Sequence, residues 1–412
     1  MHKRFLFAFL FIVAAGILIY FFSQPKHDTP PPQSESVQPA PSVAADDELR
    51  AVWVNYNELS MKSLGGGTEE DFKNKAEEMC CNIRAWGMNT VILHVRPFCD
   101  AFYPSEHFPW SVYLTGTQGQ AVGYDPVSIF LSCAKAQNLS VQAWINPYRV
   151  LLSAEWADLS ANNPAKQWYE AGKLDNLLLT DSGIYLNPAS VEAQTLILNG
   201  VRELLQKYSF DAVHMDDYFY PTTDPSVDAP SYEAYLSAGG RLTQADWRRE
   251  NVSMFVSALY TAIKAQNPQT QLVISPGGDI RKNHDSLYAD VERWAREPGF
   301  LDVLIPQLYY GFENGTKPFA QTAAEWANLQ FSENVTLCFG LAAYKCGKED
   351  AHAGTGSLEW TQQSDILARQ LELCRTLPHY GGFALYTYSS IYMADSDENM
   401  KKEWKNFRNV LQ

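Results

Sequence analysis

Residues Asp211–Pro221 read D-A-V-H-M-D-D-Y-F-Y-P, a short apolar strand that runs directly into two adjacent aspartates. Carboxylates at the end of a buried strand are costly to desolvate, so their presence there needs a reason. In a β/α barrel, the carboxyl ends of the strands are where catalytic groups lie. The competing interpretation is that Asp216 and Asp217 cap a helix or bind a backbone amide. The neighbouring histidine and three aromatic residues favour a functional site.

The rest of the chain alternates between short apolar runs and amphipathic segments. Helical periodicity is clear after the first run, where Thr68 is a cap residue and Phe72, Ala76 and Met79 form an apolar stripe. Including the strand before the aspartates, apolar runs predict eight strands at 51–54, 91–95, 141–145, 212–215, 272–275, 303–308, 335–341 and 383–386. This order predicts an α/β protein whose parallel strands close into a (β/α)8 TIM barrel with loop insertions.

An open doubly wound sheet is the alternative architecture. Such sheets usually carry a glycine-rich phosphate loop after the first strand. Here Asn55-Tyr56-Asn57 follows that strand, and the Gly65-Gly66-Gly67 run comes later without the spacing of a phosphate site. The sequence therefore favours the closed barrel.

The N-terminal segment differs in composition from the rest. Phe5–Phe22 is an apolar run of about 18 residues, long enough to cross a bilayer, and Lys3 and Arg4 favour a cytoplasmic N-terminus. A cleaved signal peptide is the alternative, but the run leads into Ser23 without a small-residue cleavage site. The following residues are rich in Pro, Ser and Ala and predict an extended, disordered linker. We expect a transmembrane anchor at 1–23, a linker at 24–48 and a barrel at 49–412, outside the cytoplasm.

The charge and the cysteines limit the partners of the protein. A net charge of −15 argues against nucleic acid, whose phosphates require a basic surface, and fits a neutral or amino-sugar-rich polymer. The seven cysteines show no metal-binding or C-x-x-C spacing, so buried thiols are expected, with a Cys338–Cys346 disulfide as the alternative. We expect no cofactor.

Polar and aromatic side chains recur where the predicted strands end. In a barrel they converge on one face, where rings can stack on the CH faces of a sugar and planar polar groups can bind its hydroxyls. Besides the two aspartates, the candidate binding residues are Arg96, Asp100, Trp144, Asn146, Arg149, His214, Tyr218, Gln307, Tyr309 and Tyr386.

The alternation within the fourth strand suggests roles for the acidic pair. His214 and Asp216 share one face and should point into the barrel, whereas Asp217 should lie at the rim. Two neighbouring carboxylates are poorly placed to act on opposite faces of one sugar, as conventional glycosidic cleavage requires. They better suit a substrate-assisted mechanism, in which the acetamido group of the sugar attacks. A conventional mechanism would need a further acid, for which the candidates are Asp100, Glu313 and Glu58.

Two other functional classes stay open at this point. His214 and Asp216 resemble half a metal site, with His94 and Asp100 as further ligands, so a metal-dependent polysaccharide deacetylase is one alternative. The absence of H-E-x-x-H and G-x-S-x-G argues against two common hydrolase classes, and we expect no metal. A non-catalytic wall-glycan-binding protein that keeps the barrel groove is the other alternative.

A series of short blocks runs through the chain in an order typical of one family. They include Val95-Arg-Pro, Ala143-Trp-Ile-Asn-Pro-Tyr-Arg, Asp216-Asp-Tyr-Phe-Tyr-Pro and Pro306-Gln-Leu-Tyr-Tyr. Over roughly residues 49–391 the sequence resembles the glycosyl hydrolase-like family ten of bacterial cell-envelope proteins. The resemblance implies a (β/α)8 hydrolase acting on peptidoglycan glycan, including strands stripped of their peptides. Many members are lipoproteins, whereas this chain carries an apolar N-terminal run.

A related branch of barrels acting on glucosamine polymers similarly carries H-x-D-D at the fourth strand, so that Asp216 and Asp217 match its catalytic positions. Strand six of this chain ends in Gln307 and Tyr309, where some glycosidase relatives carry an acid. We therefore expect a membrane-anchored, extracytoplasmic glycoside hydrolase that cleaves N-acetylhexosamine-containing cell-wall glycan. Asp217 is expected to act as general acid/base and Asp216 to orient the substrate.

Overall fold

The computed structural model describes residues 48–153, 155–217, 219–392 and 398–412. The expected membrane anchor at 1–23, residues 24–47 of the expected linker and the candidate binding residue Tyr218 lie outside the described residues. In the described part of the chain, no helix combines the length and the apolar character needed to cross a bilayer.

The described residues form eleven strands and fourteen α-helices. The strands are β1 (Leu49–Val54), β2 (Thr90–Arg96), β3 (Ser140–Ile145), β4 (Arg149–Leu151), β5 (Leu177–Thr180), β6 (Gly183–Leu186), β7 (Ala212–Met215), β8 (Gln271–Ile274), β9 (Val303–Leu304), β10 (Thr336–Leu341) and β11 (Tyr380–Leu385). The helices are α1 (Glu69–Ala85), α2 (Val112–Thr115), α3 (Pro126–Ala136), α4 (Pro164–Glu170), α5 (Val191–Lys207), α6 (Ala229–Ser237), α7 (Gln244–Gln266), α8 (Ile280–Ser286), α9 (Val291–Arg296), α10 (Phe319–Ala327), α11 (Glu359–Gln362), α12 (Ile366–Cys374), α13 (Tyr388–Tyr392) and α14 (Glu398–Leu411).

Eight of the strands close into a parallel barrel in the order β1-β11-β10-β9-β8-β7-β3-β2. Because β1 pairs with both β2 and β11, this sheet has no free edge. Each of the eight predicted strands overlaps one barrel strand, so the predicted closed barrel is confirmed and the open doubly wound sheet is wrong. The predicted sixth strand is the least accurate, since regular pairing ends at Leu304 and Pro306 has no N–H to donate.

The faces of the barrel strands follow the predicted alternation. Val213 and Met215 pack outward in the large core shared with the helices, while Ala212 belongs to a small apolar cluster inside the barrel. His214, on the same face as Ala212, reaches the interior contacts Trp53 and Gln142. The outward face of β7 therefore stabilises the barrel, and its inward face carries polar groups toward the carboxyl end.

Helix α1 shows how local sequence starts the surrounding helices. The Thr68 hydroxyl accepts a hydrogen bond from the Asp71 amide, and the Asp71 carboxylate accepts one from the Thr68 amide, forming a capping box. Phe72, Ala76 and Met79 are buried against the core, which confirms the predicted apolar stripe.

Two parts of the fold lie outside the predicted pattern. Strands β4, β6 and β5 form a separate antiparallel sheet in an insertion between β3 and α5. Helix α14 packs its Trp404 and Phe407 into the core, and its buried Glu403 accepts hydrogen bonds from the first amides of α12, those of Ile366 and Leu367. Strands of three or four residues are too short for a clear periodic signal, which explains why the insertion was not predicted.

All seven cysteines are free thiols, and six of them are buried while Cys81 is exposed. The predicted buried thiols are thus confirmed, and the alternative Cys338–Cys346 disulfide is not formed.

Glu48, the residue before β1, has a buried carboxylate. Glu48 accepts hydrogen bonds from Arg50 at 2.7 Å, from Arg375 at 2.8 and 2.9 Å and from the Tyr380 hydroxyl. Burial alone would raise the pKa of Glu48, but the hydrogen bonds from Arg375 and Tyr380 outweigh it, and the pKa is lowered. These bonds join the start of β1 to the segment around β11 and so fasten the barrel closure.

We expect Glu48→Gln to lower the free energy of unfolding by about 1–3 kcal/mol at pH 7, because Arg375 loses its charged partner. A group with a lowered folded-state pKa stabilises above its unfolded-state pKa, and this contribution is lost as the pH falls through the folded-state value. The difference between parent and variant should therefore shrink on acidification, as measured by urea unfolding across pH. Glu77→Gln, at an exposed position, is the control and should change stability by less than about 0.5 kcal/mol. A pH-independent loss in Glu48→Gln would contradict the electrostatic account.

Candidate active site

A cavity of about 200 Å³ opens at the carboxyl ends of the barrel strands, and we call it the aspartate cavity. It is enclosed by two carboxylates, one amide and five aromatic rings, which are Asp216, Asp217, Gln307, Trp53, Trp144, Tyr309, Tyr344 and Tyr386. Barrel enzymes bind their substrates at this end of the strands. The location therefore agrees with the predicted convergence of the strand ends.

Asp216 follows β7 and is buried, with 4% of its surface exposed. Its Oδ2 atom accepts hydrogen bonds from Trp144 Nε1 at 3.1 Å and from Asn146 Nδ2 at 2.9 Å. Both donors come from β3 or its carboxyl end, and β3 pairs with β7. Two donors on one oxygen stabilise the ionised form of the carboxylate and fix its orientation.

Asp217 lies at the rim and is partly open to the cavity. Burial raises its pKa above the ordinary range for an aspartate, although a hydrogen bond from Gln307 and the charges of Arg149 and Lys282 act in the opposite direction. The Gln307 amide is shared, because its Nε2 donates to Asp217 Oδ1 at 3.3 Å and to the Ser275 carbonyl at 2.9 Å. The two aspartates thus occupy one cavity but differ in their surroundings.

His214 lies inside the barrel, where burial lowers its pKa to about 3 and keeps it neutral. Its Nδ1 lies 2.9 Å from Gln142 Oε1, and its Nε2 accepts a hydrogen bond from Trp53 Nε1 at 3.3 Å. Since Gln142 Oε1 can only accept, Nδ1 carries the proton and both ring nitrogens are engaged by the protein. This arrangement suits a residue that holds Trp53 in place better than a metal ligand. The described residues contain no cluster of three or more His, Cys, Asp or Glu arranged to hold a metal ion.

Aromatic contacts make the cavity wall rigid. His94 stacks on Trp144 at a centroid distance of 3.5 Å, and burial lowers its pKa well below the ordinary value. On the opposite side, Tyr309 contacts Tyr386 at 5.8 Å and Tyr344 at 5.6 Å. Burial also raises the pKa of Tyr309, so that its hydroxyl stays protonated. The walls combine large apolar surfaces with indole and phenol donors.

Arg149, the first residue of β4, belongs to the surroundings of the site. Its guanidinium lies over the ring of Phe98, with 5.2 Å between the guanidinium carbon and the ring centroid. Its positive charge acts on both Asp217 and His94, since it lowers the pKa of each.

Several predicted binding residues do not line the aspartate cavity. Asn146 and Arg149 act on the two aspartates and His214 on Trp53, whereas Arg96 and Asp100 lie elsewhere. Arg96 stacks on Phe108 at 4.5 Å and faces Gly200 of α5, where a Cβ atom would come within 2.8 Å of its Nη1. Asp100 is fully buried in the loop after β2, and burial raises its pKa to about 7 against hydrogen bonds that include one from Ser111. Arg96 packs against the loop that follows β2, and Asp100 lies in that loop, where it lines a second concave surface.

The further acids considered for a conventional mechanism also lie elsewhere. Glu58 accepts hydrogen bonds from the Asn55 amide at 2.7 Å and from Thr387 Oγ1 and the Ser389 amide at 2.5 Å each, which joins the loops after β1 and β11. Glu313 binds Gln363 Nε2 at 2.9 Å on the exposed surface. Neither of these residues lines the aspartate cavity.

Trp53 and Tyr344 line the cavity but were not among the predicted site residues. Trp53 stands on the inward face of β1, and its position before the strand end was a usable signal. Tyr344 lies in a short 3-10 helix after β10, beyond the end of the strand, and only the three-dimensional fold brings it to the site. Lys345 Nζ donates to the Tyr309 carbonyl at 2.8 Å and so holds these two tyrosine segments together.

We expect Asp217→Asn to raise the thermal unfolding midpoint at pH 8 by about 2 °C or more. A carboxyl whose folded-state pKa is raised loses its stabilising contribution as the pH rises through that value, and asparagine removes this loss. The advantage should vanish below the ordinary pKa of an aspartate. Scanning calorimetry across pH checks this, with exposed Asp181→Asn as the control. Parallel pH profiles for Asp217→Asn and the parent would contradict the raised pKa.

Comparison with known proteins agrees with this geometry. The family model described as glycosyl hydrolase-like 10 matches residues 48–354. Glycosyl hydrolase YngK of Bacillus subtilis is 33% identical over 355 residues, which cover 82% of this chain and 68% of the relative. Glycosyl hydrolase DigH of Escherichia coli K12 is 27% identical, covering 92% and 91% of the two chains.

Among solved structures, the PgaB (BpsB) glycoside hydrolase domain from Bordetella bronchiseptica has a TM-score of 0.59 at 12% identity, covering 88% of this chain and 99% of that one. An α-L-fucosidase from Paenibacillus thiaminolyticus has a TM-score of 0.53 at 14% identity, covering 88% and 49%. These similarities concern the fold alone. The family match and the relatives go further: the chain belongs to the glycosyl hydrolase-like 10 family and is a glycoside hydrolase.

Proposed function

We propose that this protein is a membrane-anchored, extracytoplasmic glycoside hydrolase that cleaves N-acetylhexosamine-containing cell-wall glycan, including peptidoglycan strands without peptides. The observation that carries the proposal is the pair of carboxylates in one small cavity with unlike surroundings. Burial raises the pKa of Asp217, whereas Asp216 Oδ2 accepts hydrogen bonds from Trp144 and Asn146. A carboxyl group with a raised pKa beside a second, hydrogen-bonded carboxyl group is typical of acid–base catalysis.

Asp217 is the general acid/base in this proposal. Its raised pKa favours the protonated carboxyl group, whose proton can be donated to the leaving glycosidic oxygen. The Gln307 amide touches one carboxylate oxygen and is also anchored on the Ser275 carbonyl, so it holds the carboxyl in a fixed orientation.

Asp216 orients the substrate. Trp144 and Asn146 donate to Asp216 Oδ2 and fix the carboxyl group, whose oxygens can accept a hydrogen bond from the N–H of an acetamido group. The acetamido oxygen then bonds to the anomeric carbon as the glycosidic bond breaks and the Asp217 proton moves to the leaving oxygen. In the second step Asp217 takes a proton from water, the water oxygen bonds to the anomeric carbon and the acetamido group is restored. The net reaction adds one water across the glycosidic bond.

Several features support a sugar as the occupant of the cavity. Its volume of about 200 Å³ and its five aromatic rings suit one pyranose ring, whose CH faces stack on aromatic surfaces. Membership in the family and the net charge of −15 support a wall polymer rather than nucleic acid. Both nitrogens of His214 are engaged within the barrel, which favours acid–base hydrolysis over a metal-dependent deacetylase.

We expect Asp217→Asn to lower the rate of glycan hydrolysis by about 100-fold or more, because asparagine cannot donate the proton. The measurement uses the purified protein and defined glycan strands with and without peptide stems, with products identified by mass. Cleavage should shorten the strands and add the mass of water, and chelators should have no effect. A non-catalytic binding protein would leave strand length unchanged.

The acetamido group supplies a second readout in the same experiment. The parent should cleave N-acetylated glycan and fail on the same strands after removal of the acetyl groups, whereas Asp216→Asn should lose activity on the acetylated strands. Asp181→Asn, at an exposed site, should match the parent. Equal rates for Asp217→Asn and the parent on a substrate that the parent cuts would overturn the role of Asp217.

The proposed anchor is Phe5–Phe22, whose uninterrupted apolar character is sufficient for a bilayer span. We expect the full-length chain to stay in the membrane fraction after an alkaline wash, and a chain lacking these residues to be released. N-terminal sequencing of the mature protein is the companion measurement. A mature protein that begins after residue 22 would replace the anchor with a cleaved signal peptide.

A further inference from the structure

A second concave surface lies on the same face of the barrel, and we call it the side groove. It has a volume of about 660 Å³, roughly three times that of the aspartate cavity. One wall comes from the loop after β2, with Phe98, Tyr113 and Gln118, and the other from the insertion after β3, with Leu152 and Ser160. Both walls follow the carboxyl ends of neighbouring strands, which places the groove beside the catalytic end of the barrel.

A continuous series of ring contacts joins the aspartate cavity to the side groove. Trp144 lines the cavity and stacks on His94, which contacts Tyr56 at a centroid distance of 5.4 Å. Tyr56 in turn contacts Tyr113 at 4.4 Å and Phe98 at 5.2 Å, and both of these rings line the groove.

Arg149 stands at the junction of the two surfaces. Its guanidinium lies over the Phe98 ring of the groove, while its charge acts on Asp217 in the cavity. Arg149 and the ring contacts therefore make the aspartate cavity and the side groove neighbours at this end of the barrel.

Buried hydrogen bonds hold the two walls of the side groove together. Gln118 Oε1 accepts hydrogen bonds from the Ser160 amide at 3.0 Å and from Asn163 Nδ2 at 3.2 Å. Asn163 Nδ2 also lies 3.2 Å from the Cys99 carbonyl. Gln118 and Cys99 belong to the loop after β2, and Ser160 and Asn163 to the insertion after β3. These bonds therefore fasten the two segments together before a ligand binds, which reduces the ordering cost of binding.

The chemistry of the side groove suits a carbohydrate. Leu152 is 54% exposed, and the partly exposed ring of Tyr113 adds a flat apolar surface. Hydroxyl groups of Thr117, Ser153 and Ser160 lie among these apolar groups. Sugars combine CH faces that stack on rings with hydroxyls that form hydrogen bonds, so this mixture matches them. The lining also carries charges of both signs, from Lys62 and Asp158.

We propose that the side groove binds the sugar units that continue from the unit held in the aspartate cavity, so that the enzyme selects extended glycan chains. The proposal rests on the proposed function, since it assigns the rest of the same substrate. Tyr113 is the stacking platform, and Leu152 provides apolar contact on the opposite wall.

The test compares kcat/KM on N-acetylhexosamine oligosaccharides of increasing defined length. The parent should gain about tenfold or more in kcat/KM from the shortest cleaved oligosaccharide to the longest. Tyr113→Ala and Leu152→Asp should each lose most of that gain with length, through KM. Because Leu152 is exposed, Leu152→Asp does not depend on core packing and keeps the test valid if Tyr113→Ala folds poorly.

Phe331→Ala is the matched control, because it removes a partly exposed ring just before β10, at the opposite end of the barrel from the site. It should leave the length dependence unchanged. The proposal is overturned if the kcat/KM of the parent is independent of length, or if Leu152→Asp equals the parent on every oligosaccharide.

Failure of the proposed function gives a different pattern. If the parent cleaves none of the oligosaccharides, hydrolysis of this substrate class is wrong, and calorimetric binding of the same oligosaccharides then decides the role of the groove. Affinity that rises with length and falls by about tenfold in Leu152→Asp supports the groove. Affinity that is absent or insensitive to both length and Leu152→Asp overturns it.

Discussion

Two adjacent carboxylates must be held at the barrel mouth against the cost of desolvating them, and most contacts of the site serve this requirement. Asp216 is stabilised by two donors on a single oxygen, Trp144 and Asn146. Asp217 accepts a longer hydrogen bond, at 3.3 Å from Gln307, and burial raises its pKa. The two acids therefore differ in their hydrogen-bond surroundings although they are neighbours in sequence.

The positions of these donors follow from strand pairing. β3 pairs with β7 so that Trp144 stands beside His214, and the residues after both strands then meet at the same level of the barrel. His94, on the other neighbour of β3, stacks on the Trp144 ring. His214 fixes Trp53 on β1 from across the barrel interior. Neutral histidines can do this because burial lowers the pKa of both and removes the cost of a buried charge.

Sequence periodicity was sufficient to predict the eight barrel strands. It also predicted that the aspartates converge with four other residues, Trp144, Gln307, Tyr309 and Tyr386. The periodicity gave a wrong prediction at Arg96. Regular alternation along β2 would point the Arg96 side chain into the barrel, together with that of His94. A register shift between these residues pairs Arg96 with the outward-facing Ile145, and the side chain turns away. Such a shift depends on the neighbouring strand, so a local pattern cannot reveal it. Tyr344 was not predicted for a related reason, since it reaches the cavity from a short helix beyond β10.

Under the proposed function, the aspartate cavity and the side groove have different and compatible roles. A raised pKa requires a small, crowded cavity, because the effect on Asp217 comes from removing water around it. A cavity of about 200 Å³ offers too little contact area to hold a flexible polymer firmly, and enlarging it would readmit water. A separate, wider groove resolves the conflict, since binding energy gained along the chain can position the reacting sugar without exposing Asp217. The hydrogen bonds that fix Gln118 to the opposite wall then matter for catalysis, because only a preformed groove passes its binding energy to the reacting unit rather than spending it on ordering loops.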